Sequence, residues 1–62
     1  MNDDILSSLV EACAHLQISF KAQPSDETRR AFNKFWESAM EFTTHIEFFS
    51  LVCDKVNELE NK

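Results

Sequence analysis

A chain of 62 residues with no glycine, one proline and a net charge of −5 has room for a single domain and points to the all-α class. Tight hairpins, phosphate-cradling loops and left-handed helix caps would all lack their preferred residue. The acidic balance argues against tight nonspecific binding to DNA or to anionic lipid.

At this size one core barely offsets chain entropy, so a disulfide, a metal or a second copy of the chain is the usual reinforcement. No apolar run approaches the ~18 residues of a membrane span, which excludes a membrane partner. The opening Met-Asn-Asp-Asp has no basic region ahead of an apolar one, so no signal peptide is expected. The expectation is a cytoplasmic protein in which Cys13 and Cys53 stay reduced and serve as small apolar side chains.

Asn2, Asp3 or Asp4 can cap a first helix, and their charges suit the positive end of its dipole. Leu6, Leu9, Cys13, Leu16 and Phe20 then recur at steps of three and four, with Ile5, Val10 and Ile18 widening the stripe. Ser7, Ser8, Glu11, Gln17 and Lys21 occupy the mostly polar faces. The pattern predicts a helix from about residue 3 to about 21, roughly 30 Å long. Pro24 ends it by disfavouring helical geometry at Gln23, and Ser25 can cap the next helix with Asp26 and Glu27 in its first turn.

Beyond Ser25 the seam Phe32, Phe35, Ala39, Phe42, Ile46, Phe49, Cys53, Val56 continues in coiled-coil fashion without a slip. The expected architecture is therefore a helical hairpin. Its second helix, from about 25 to about 60, would be about 54 Å long and antiparallel to the first. The first helix could cover only the near part of the second. The overhang predicts a homodimer through Phe42, Ile46, Phe48, Phe49, Val52, Cys53, Val56 and Leu59. A second ridge, Trp36, Met40, Thr44, Phe48 and Leu51, gives the long helix another apolar side. Trp36 and Phe48 are candidate anchors for the dimer. The alternative is a monomeric three-helix bundle broken near Thr43, Thr44 and His45, where Thr44 and Glu47 match a capping box.

Chemistry finds little foothold. Cys13, His15, His45 and Cys53 lack the spacing of a metal site, although the three-helix alternative could bring Cys13 near Cys53. Glu37, Glu41 and Glu47 have no Glu-x-x-His partner for a di-metal bundle, and without glycine there is no nucleophile elbow. No catalytic, metal or cofactor site is expected, and the chain reads as a non-enzyme. Were His15 or His45 at an interface, protonation would loosen the dimer.

The charge is uneven: residues 1–20 carry −3, residues 21–34 carry +2 and residues 35–62 carry −4. Lys21, Arg29, Arg30 and Lys34 thus form a basic cluster at the turn. It could bind an acidic protein surface or pair with Glu11 or Glu37. Alternatively, Arg29, Arg30 and Lys34 would serve a small nucleic-acid-binding transcriptional regulator, with Asp26, Glu27 and Glu37 repelling phosphate nearby.

In the stretch Asp26-Glu-Thr-Arg-Arg, in the tail Asp54-Lys-Val-Asn-Glu-Leu-Glu-Asn-Lys and in overall composition, the chain resembles short, acidic, cysteine-poor helical accessory proteins of temperate phages. That resemblance implies action by binding a host or phage protein, and it transfers no functional residue. The expectation from the sequence is a small protein-interaction module, dimeric and with an unidentified protein partner.

Overall fold

Residues 2–61, the part described by the computed structural model, form three helices: α1 (Asn2–Ala22), α2 (Asp26–Ala39) and α3 (His45–Glu60). Among these residues there is no strand. The capping position ahead of Asn2 lies outside the described residues, and Asp4 already stands within α1.

The first turn follows the local rules. The amide of Gln23 still reaches Ser19 O at 2.8 Å, after which Pro24 cannot continue the ladder. Ser25 has extended backbone and its Oγ accepts from the Thr28 amide at 3.1 Å. Asp26 and Glu27 occupy the first turn of α2, where the helix dipole favours carboxylates.

The expectation of a continuous second helix is overturned. The chain leaves the helix after Ala39 and re-enters it at His45. The break needs no glycine, because no residue among those described takes a positive φ. Met40 remains in the right-handed region at φ −65° and ψ −14°. The amides of Met40, Glu41 and Phe42 reach back three residues to Glu37, Ser38 and Ala39 at 3.2, 3.3 and 2.9 Å. Tightening the last turn in this way satisfies carbonyls that an abrupt stop would strand. Thr44 then takes an extended conformation and its side chain accepts from the Glu47 amide at 3.2 Å. The carboxylate of Glu47 accepts from the Thr43 hydroxyl at 2.9 Å, so the capping box acts through both threonines.

Packing explains why the break wins. α1 packs against both α2 and α3, and the core comprises Val10, Cys13, Ala14, Ala39, Phe48, Val52 and Val56. Folding α3 back buries Phe48, Val52 and Val56 within the chain itself, each worth about 1.5–3 kcal/mol. The small side chains of Cys13, Ala14 and Ala39, all fully buried, let the helix backbones come close. Ion pairs report the sense of α3: Glu11 meets Lys55 at 3.4 Å and Lys21 meets Glu60 at 3.7 Å. Partners that advance together along both helices mean that α1 and α3 run parallel.

Candidate interaction surfaces

Trp36 organises the far end of α2. Its ring stacks on Phe32 at 5.5 Å between centroids and meets Phe48, His45 and Phe49 edge-on at 4.8, 5.0 and 6.3 Å. Its indole Nε1 donates to Nδ1 of His45 at 2.9 Å. Each of the aromatic contacts from α2 to α3 is made by this ring. Trp36 and Phe48, the candidate dimer anchors, therefore meet inside the chain.

Around the same end, several large apolar side chains face outward. Ile46 is 81% exposed and Phe49 56%, and Phe35 and Phe42 are each 38% exposed. Ile46 and Phe49 are three apart on one helix and share a face. The expected dimer set thus divides. Phe48, Val52 and Val56 are consumed by the core, and Leu59 packs against its edge. Cys53 is half-buried, while Phe42, Ile46 and Phe49 remain available.

The basic cluster divides as well. Lys21, at the end of α1, faces Glu60, and Arg29 pairs with Asp26 at 3.4 Å. Arg30 and Lys34 share another side of α2, four residues apart. Glu11, one partner anticipated for this cluster, is taken by Lys55, whose ammonium also lies 3.6 Å from Glu58.

The residues Gln17, Phe20 and Lys21 of α1 and Thr28, Arg29 and Phe32 of α2 enclose a cleft of about 260 Å³ near the first turn. Periodicity gave no sign of it, since Phe20 and Phe32 read as seam residues. Only the crossing of two helices sets them as opposite walls. The Trp36–His45 bond was equally hidden, because the two residues face one another only across a break that the long-helix reading denied.

Reactive groups are sparse. Both cysteines are free, Cys13 buried and Cys53 half-buried. Burial pushes the Cys13 thiol up to about 11 from an ordinary 9.0, which keeps it protonated and poorly nucleophilic near neutrality. Among the described residues no group of three or more histidines, cysteines or carboxylates could hold a metal ion. None of the helices is long and apolar enough to cross a membrane. Comparison with family models, curated proteins and solved structures finds no match.

Proposed function

We propose that this chain is a non-enzymatic protein-interaction module that works as a homodimer through the apolar face around the α2–α3 turn. One observation carries the reading: Phe35, Phe42, Ile46 and Phe49 are exposed together at that end. They present on the order of 400 Å² of apolar surface, taking about 200 Å² for a whole side chain of this size. That is within the roughly 300–600 Å² of a monomer's largest apolar patch, a size that is often functional, and about half of what each partner buries in a standard interface. The total accessible area of 4663 Å² also exceeds the roughly 4,100 Å² expected for a folded monomer of 7.2 kDa. A second copy is the simplest occupant, because a twofold interface lets one patch bury itself.

In this reading the dimer is a cytoplasmic accessory protein, of the temperate-phage kind that the sequence resembles, and it acts by binding a host or phage protein. The nucleic-acid reading has less support: Lys21 and Arg29 face carboxylates, and Arg30 and Lys34 lie on a different side of α2.

Sedimentation tests the proposal. The native chain should run as a dimer and Ile46→Asp as a monomer with unchanged helicity, since Ile46 contributes little to its own core. A native chain that stays monomeric at high concentration would overturn the dimer.

A further inference from the structure

We propose that the cleft between the end of α1 and the start of α2 binds a small amphipathic carboxylate, with one aromatic ring or a short acyl chain bearing a single acid group. Phe20 and Phe32 supply apolar lining, and Lys21 and Arg29 are the charged residues that also line it. A dry apolar cavity of about 150 Å³ holds a benzene molecule. The 260 Å³ here accommodates one ring and leaves space for a head group at the mouth.

Charge selects the head group. Two cations and no carboxylate line the cleft. The carboxylates that now face those cations do so weakly. Asp26 lies 3.4 Å from Arg29 and Glu60 lies 3.7 Å from Lys21, with all four side chains at least 44% exposed. Exposed pairs of this kind contribute little, so a ligand anion anchored by its ring can take Arg29 from Asp26. Thr28 Oγ1 accepts from the Ser25 hydroxyl at 2.8 Å, which leaves its own proton to donate. An adjoining hollow shares Phe20 and Arg29 but includes Asp26, and that carboxylate makes it the poorer host for an anion.

The site is independent of the proposed dimer. α2, at 14 residues, separates the two turns by about 20 Å. Phe32 stacks on Trp36, so occupancy also reaches the only tryptophan in the chain.

Phenylacetate and its neutral counterpart phenylacetamide, titrated into the isotopically labelled full chain, provide the test by nuclear magnetic resonance. The expected result is saturable shifts at Phe20, Lys21, Thr28, Arg29 and Phe32. The acid should bind about tenfold more tightly than the amide, the scale of a charge-assisted hydrogen bond. Arg29→Gln should weaken the acid by a similar factor and leave the amide unchanged. Asp26→Asn, which releases Arg29, should tighten the acid. Equal binding of acid and amide, shifts centred on Ile46 and Phe49, or no tightening in Asp26→Asn would each overturn the assignment. Either result leaves the oligomeric state as a separate measurement.

Discussion

Trp36 donates its indole proton to Nδ1 of His45 at 2.9 Å. The bond ties the end of α2 to the first residue of α3, and an imidazole nitrogen is the acceptor it needs. Trp36 is the only tryptophan and the chain has no tyrosine, so its fluorescence reads this contact directly. His45→Phe removes the acceptor and should shift the Trp36 emission, and an unchanged spectrum would show that the bond does not set the surroundings of the ring.

At the scale of the helices, the caps decide where segments begin. Among the described residues Thr44 supplies the one side-chain bond to the first amides of α3, and Thr44→Ala should cost about 1 kcal/mol, the usual worth of such a cap. Denaturant unfolding would measure it, and no loss of stability would show that packing alone positions the break. The first turn was fully legible, since Pro24, Ser25 and the two acids after it each act locally. The second turn was legible only as an alternative, through Thr44 and Glu47. What hid it was phase. Phe48 stands nine residues beyond Ala39, about half a turn out of register on an unbroken helix of 3.6 residues per turn. Both residues are nevertheless fully buried. The rhythm did slip, but Ile46 and Phe49, beside the buried side of α3, kept an apolar seam running across the break. A helix apolar on two sides cannot announce which one its own chain will use. The same ambiguity scrambled the expected interface, assigning Phe48, Val52 and Val56 to a partner when α1 takes them. The cleft could not be read at all, because it exists only between helices.

For the whole molecule, the inner store of apolar contacts is small. Of the buried residues, three are alanine or cysteine and only Phe48 is large. A chain of this length lies close to the limit of independent stability, and the ion pairs on its surface add little. The face around Ile46 and Phe49, the two most exposed of the large apolar side chains among the described residues, is a remaining source of burial on which the proposed dimer draws. Mass action turns that into a measurable dependence. If folding and association are coupled, each tenfold rise in concentration adds about 0.7 kcal/mol per chain. For a domain of this size, that raises the melting temperature by roughly 3–6 °C. Added salt should preserve or strengthen the effect, because the face is apolar and each copy carries −5, so screening relieves repulsion between like-charged partners. In Ile46→Asp the melting temperature should lose its dependence on concentration and fall to the dilute limit of the native chain. A native melting temperature that stays constant over a hundredfold range of concentration would mean that the three helices stand on their own core, and that the exposed aromatic end serves a different partner.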